Sequence, residues 1–122
     1  MKKKPRELMT DERRKKARVP ENLSVIHCSH QYLLKTNALT RDISEDGICI
    51  LTPYKIDIGE TMELEIYLSE TEEAVKAKGT VVRRNGTDDI KLPYLLGIKF
   101  TKIDPDAYEK ICAHIRFYML KA

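Results

Sequence analysis

Met62-Glu63-Leu64-Glu65-Ile66-Tyr67-Leu68 places an apolar side chain at every second position. Because successive side chains of an extended chain point to opposite faces, Met62, Leu64, Ile66 and Leu68 share one face, and Glu63, Glu65 and Tyr67 the other. That is the pattern of a strand buried on one side. Downstream, Ala74 to Arg84 continues the alternation. Asn85-Gly86, followed by Thr87-Asp88-Asp89, predicts a turn or loop, and Tyr94 to Phe100 predicts a last strand. Upstream, Leu23 to Cys28, Tyr32 to Thr40 and Gly47 to Leu51 are short β-prone runs separated by polar turns. About six strands with brief connections predict a mainly β sandwich or barrel rather than βαβ units.

After Phe100 the period changes. Asp104 suits a helix N-cap and Pro105 the first helical position. Tyr108, Ile111, Cys112, Ile115, Tyr118 and Met119 then recur at helical spacing. The sequence therefore predicts a closing amphipathic helix whose apolar stripe packs on the strands, with His114 on the helix surface beside it.

Composition narrows the class. A chain of 122 residues with 42% hydrophobic and 34% charged residues suits one soluble domain, and no apolar run approaches the roughly 18 residues of a membrane helix. The basic start Met1-Lys2-Lys3-Lys4 is followed by no apolar core of the kind secretion signals carry. Cys28, Cys49 and Cys112 are odd in number, widely spaced and set among apolar neighbours, as expected of reduced thiols in a cytoplasmic protein. The net charge of +3 is unevenly spread. Residues 1–18 hold nine Lys/Arg against three Asp/Glu, a net of +6, and residues 19–122 hold 13 against 16, a net of −3. The expectation is a basic N-terminal arm, residues 1–18, on an acidic body, residues 19–122; such an arm implies a polyanionic partner or else a solvated tail docking on its own domain, and for a bare basic tail the second is the commoner case.

Catalysis finds no support: the sequence has no Gly-rich phosphate loop, no nucleophile elbow and no metal-ligand pair at helical spacing. His27 and His30 flank Cys28, but a zinc site needs about four ligands and no second pair is spaced for it. Two constellations remain. In Glu12-Arg13-Arg14-Lys15-Lys16-Ala17-Arg18-Val19, Arg14 and Arg18 stand four apart, so a loop would let two planar guanidiniums close on one compact ligand carrying phosphate or guanine. In Asp42-Ile43-Ser44-Glu45-Asp46-Gly47, the carboxylate and hydroxyl are able to stabilise a turn or to read a guanine edge, and Gly47 is expected to supply a backbone conformation that is costly for other residues. Each alone is explained by solvated charge or by turn chemistry.

Together, in this order on a short strand-rich chain, they resemble the PilZ domain family, whose signature is Arg-x-x-x-Arg, often within Glu-Arg-Arg-x-x-x-Arg-Val, and then (Asp/Asn)-x-Ser-x-x-Gly. Both stand unbroken at Glu12 to Val19 and Asp42 to Gly47, and Gly97-Ile98-Lys99-Phe100 is similar to the family's final barrel strand. The resemblance covers roughly residues 11–120. It implies a six-stranded antiparallel barrel with a C-terminal helix that binds cyclic di-GMP as ligand, with no further cofactor. Arg14 and Arg18 would clamp phosphate and guanine, Asp42 and Ser44 would read a guanine edge, and Gly47 would keep the turn close. Arg13, just before Arg14, would favour two stacked ligand molecules per chain. Of Arg83 and Arg84, strand geometry lets at most one assist.

The function implied is that of a receptor and adaptor: the ligand orders the arm, and an unidentified effector protein in motility, biofilm or pilus regulation reads the result. Oligomeric state, monomer or homodimer, stays open. One rival is a PilZ-fold protein-interaction module that does not bind the messenger, against which the intact motifs argue. The other is a small nucleic-acid-binding barrel, disfavoured by the net −3 body and by the absence of Trp, with only two Phe for base stacking.

Overall fold

The computed structural model describes residues 17–68 and 74–121. Six strands and one helix follow one another: β1 (Ser24–Ser29), β2 (Lys35–Ile43), β3 (Gly47–Thr52), β4 (Thr61–Tyr67), β5 (Ala74–Gly86), β6 (Tyr94–Ile103) and α1 (Pro105–Lys121). The strands close into an antiparallel barrel in the order β1-β2-β3-β6-β5-β4, with β4 pairing back onto β1. Closure leaves the sheet no free edge.

The alternation in β4 is realised as expected. Met62, Leu64 and Ile66 are buried, joined by Val25 from β1, Ile48 and Ile50 from β3, and Leu96 and Ile98 from β6. In α1, the Asp104 carbonyl accepts the Tyr108 amide, Pro105 takes the first position, and Ile111 and Ile115 are buried in the same core.

Three expectations need correcting. Asn85 and Gly86 do not turn: they pair with Leu95 and Tyr94 as the end of β5. The reversal falls in the following loop, where the Thr87 hydroxyl donates to Leu92 O and the Asp89 carboxylate accepts from the Lys91 and Leu92 amides. Those side chains complete the turn without a left-handed Asn-Gly pair. His114, expected on the helix surface, is buried at 2% exposure, because Nε2 meets Glu21 Oε1 at 2.5 Å. Strand β2 also starts later than expected, at Lys35. The Ser29 hydroxyl accepts the Tyr32 amide, Leu33 adopts φ 57°, and Tyr32 stacks on Tyr54 instead of pairing with β1.

Two one-residue irregularities decide which side chains reach the barrel's outer face. In β2 the register with β3 shifts between Thr40 and Asp42, and in β5 the register with β6 shifts between Val81 and Arg83. An extra residue on one strand reverses the phase of every side chain beyond it. Ala38 and Thr40 face the core, yet after the bulge it is Ile43 that faces inward and Asp42 outward. Val81 faces the core, and after its bulge Arg83 faces outward.

Candidate functional site

Thr40, inside the barrel, fixes the chain that leads into β1. Its hydroxyl accepts the Leu23 amide at 2.7 Å and donates to Glu21 O at 2.6 Å, and Asn22 donates to Thr40 O. Further upstream, Val19 and Ile43 exchange both backbone hydrogen bonds, at 2.8 and 3.0 Å, and both side chains are fully buried. Arg18 is the next residue before this bridge, so its side chain emerges beside Asp42, which the β2 bulge has turned outward.

The contact that results joins the two sequence constellations. Nε and Nη2 of Arg18 both donate to Asp42 Oδ1, at 2.9 and 2.8 Å, and Nη1 donates to Ser44 Oγ at 3.3 Å. Arg18 and Asp42 are 46% and 23% exposed, so this pair is neither buried nor fully screened. Ser44 also shapes its own turn. Its amide and hydroxyl both donate to Gly47 O, and its oxygen accepts the Asp46 amide. The Asp46 carbonyl accepts the Phe100 amide, which ties the turn to β6.

Gly47 is required here for a reason other than the expected one. Gly59 is the glycine with positive φ among the described residues, so Gly47 does not use a left-handed backbone. The requirement is space: a Cβ at Gly47 would lie 2.1 Å from Ile98 O and 3.1 Å from its carbonyl carbon. No side chain fits where β3 lies this close to β6.

Of the remaining expected site residues, Arg13 and Arg14 lie outside the described residues. The register brings in residues that neither motif contains. Asp42 pairs with Cys49, Cys49 with Gly97, and Gly97 with Arg83, forming one outward row across β2, β3, β6 and β5. Arg83 Nη2 donates to Cys49 Sγ at 3.5 Å, and Arg18 Nη2 approaches the same sulfur from the other side at 3.7 Å. A pocket of about 210 Å³ lies over this row, lined by Arg18, Gly47, Cys49, Arg83, Gly97 and Lys99 among others. Arg84 turns away, donating to Ile56 O and Asp57 Oδ1 at 3.3 Å each. The Gly97-Ile98-Lys99-Phe100 motif was the available signal for part of this row. Cys49 left none.

Helix α1 borders both halves of the site. The Tyr108 hydroxyl donates to Glu45 inside the Asp42–Gly47 turn, and burial, with hydrogen bonds to Cys112 and Glu45, raises its pKa. His114 meets Glu21, and the Tyr118 hydroxyl donates to Pro20 O, both just after Arg18. No group of three or more His, Cys, Asp or Glu among the described residues is arranged to hold a metal. No helix among them is long and apolar enough to cross a membrane.

The structure thus combines a closed six-stranded barrel and a C-terminal helix with a guanidinium held on a carboxylate and a hydroxyl. The sequence matches the PilZ domain family over residues 12–117, and the chain belongs to that family. PilZ domains are typically non-catalytic binding modules. Among solved structures the chain is similar to the inhibitor of motility (MotI/DgrA) of Bacillus subtilis, with TM-score 0.73, 20% identity and coverage of 92% of this chain and 54% of that one. It thus spans about half the length of that protein. It is also similar to the PilZ domain with c-di-GMP of YcgR from Escherichia coli (TM-score 0.66, 14% identity, 90% of this chain and 93% of that one). A third likeness is to the K. pneumonia MrkH–c-di-GMP complex (TM-score 0.69, 14% identity, 91% and 53%). These likenesses establish the shared fold. Among curated proteins none matches the sequence.

Proposed function

We propose that this chain is a cyclic di-GMP receptor that signals to a protein partner. The observation that carries the reading is the convergence of Arg18, the last residue of Arg-x-x-x-Arg, on Asp42 and Ser44, the first two polar residues of Asp-x-Ser-x-x-Gly. Because both Arg18 donors share Asp42 Oδ1, Oδ2 is left to accept the N1 and N2 hydrogens of a guanine while the ion pair persists. The guanidinium, already oriented, then offers a phosphodiester the second Nη1 hydrogen, and the Nη2 hydrogen that otherwise makes only the long contact to Cys49. Two of the similar structures carry c-di-GMP in their descriptions, in the same fold.

In this reading residues 1–18 are the switch: Arg14 and Arg18 close on the ligand, and Arg13 supports a second, stacked molecule against the repulsion of four phosphate charges. The complex acts in the cytoplasm on an effector of motility, biofilm or pilus regulation. Titration calorimetry tests it. The native chain should bind cyclic di-GMP with a ratio near two, and Arg18→Ala should lose at least tenfold in affinity, the loss of charge-assisted bonds worth about 1.5–3 kcal/mol each. Arg13→Leu should shift the ratio toward one. A native chain without affinity for cyclic di-GMP would leave a PilZ-fold protein-interaction module in its place.

A further inference from the structure

The β5 bulge lies where Val82 has no partner on β6. Its effect is to turn Arg83 outward into the row that begins at Asp42, as the β2 bulge turns Asp42 outward at the other end. Bulges recur beside binding sites because they re-aim one side chain without disturbing the rest of the sheet. Between the two ends stand Cys49 and Gly97. Gly97 gives the Arg83 side chain its path: a Cβ there would lie 3.3 Å from Arg83 Cβ, a tight approach, and would touch Nη2 and Cζ at 3.4 and 3.5 Å. The arginine therefore runs back along the row, over the strand, until Nη2 reaches Cys49 Sγ.

The charges do not balance there. Arg18 and Arg83 approach one sulfur to 3.7 and 3.5 Å, so two guanidiniums face each other across a single atom. Arg18 has Asp42. No carboxylate of the described residues lies within ion-pair distance of Arg83, and a thiol is a weak acceptor that neutralises neither cation. Exposed Lys99 and Asp46 line the same pocket, so Arg18, Arg83 and Lys99 stand there against Asp46 and the Asp42 that pairs with Arg18, an excess of one positive charge. Two like charges held together at a pocket of about 210 Å³ define a place where an anion relieves repulsion.

We infer that Arg83 is a third ligand-binding arginine of this site, and that it and Arg18 grip one phosphodiester of the bound dinucleotide from opposite sides of Cys49. The inference rests on the cyclic di-GMP reading and adds to it a residue outside both motifs. Arg84, one position along and tied to Asp57, takes no part.

Calorimetric titration with cyclic di-GMP at two salt concentrations, on the native chain and on Arg83→Met, Arg83→Lys and Arg84→Met, tests the assignment. Arg83→Met should bind at least tenfold more weakly, with a shallower dependence of affinity on salt, because one cation leaves the contact. Its thermal midpoint should stay near that of the native chain, since Arg83 is exposed. Arg83→Lys should recover part of the loss, keeping the charge but not the planar fork, and Arg84→Met should bind as the native chain does. Gly97→Ala provides a second route: it leaves Arg83 in place but crowds its path, and it should weaken binding in the native background yet add little to Arg83→Met. If Arg83→Met binds within twofold of a native chain that does bind, the third arginine is refuted while the receptor reading survives. If the native chain itself does not bind, both fall together.

Discussion

Gly47 shows how a single missing methyl group shapes the site. With Ile98 O only 2.1 Å from where a Cβ would stand, Gly47→Ala must push β3 away from β6, and backbone yields less readily than the end of a flexible side chain. We expect Gly47→Ala to lose about 3 kcal/mol in urea denaturation, and to lose cyclic di-GMP affinity as well, because the carbonyl of residue 47 organises Ser44. Gly86→Ala is the control: nothing lies within 4 Å of its added Cβ, so its stability should stay within about 0.5 kcal/mol of the native value. A Gly47→Ala chain as stable as the control would show that the strands part freely. His27 poses a different residue-scale question. It is buried in β1 with Nε2 2.9 Å from Thr52 Oγ1 and Nδ1 without a partner, and burial lowers its pKa from 6.5 to about 4. The folded state thus prefers the neutral ring, whereas the unfolded chain takes up a proton near pH 6.5. Stability should be full above that pH, fall as pH drops toward 4 and level off below, by about 3 kcal/mol for this group. Denaturation curves from about pH 7 to 4 should be shallower in pH for His27→Gln. Parallel curves for the two proteins would mean that His27 does not titrate with folding.

At the scale of elements, α1 stabilises the site through contacts distant in sequence. His114 and Tyr118 hold Glu21 and Pro20, and Tyr108 holds Glu45, so one helix touches the segment behind Arg18 and the turn containing Ser44. Replacing His114 with Leu removes a buried partner of a carboxylate, a change that costs on the order of 1–3 kcal/mol, and frees the Pro20–Glu21 segment. We expect His114→Leu to unfold at lower urea and also to bind cyclic di-GMP several-fold more weakly, although residue 114 lines no part of the pocket. Lower stability with native affinity would confine the helix to structural support. This coupling was invisible in the sequence, where His114 stands beside an apolar stripe and its partner is 93 positions away. The stripe itself was legible, because helical spacing is a local property.

For the whole molecule, the same division between local and distant determines what the sequence revealed. Period-two alternation in Met62–Leu68 and its neighbours exposed the strands, and the Asp-x-Ser-x-x-Gly turn stood out because its residues act on one another across two or three positions. The bulges did not. Arg41 and Val82 each look like one more member of an alternating run, and only pairing with β3 and β6 shows that they are extra. For that reason Arg83 and Arg84 could be told apart only as a choice between two faces, and Cys49 could not be connected to the arginines at all. The Asn85-Gly86 turn was misplaced for a related reason: a good hairpin pair continues as strand when β6 offers both residues a partner.

The contact between Tyr118 and Pro20 spans 98 positions, and this has a consequence for the newborn protein. A ribosome adds about 5–20 residues per second, so roughly 5–20 s separate the emergence of Arg18 from that of the helix residues that brace it. For most of that interval the arginine motif is already made while β6 and α1 are still to come. If the chain is the receptor proposed above, a half-translated copy exposes the net +6 of residues 1–18 to every polyanion nearby, including the ribosomal RNA beside it, before the site that would discriminate among them exists.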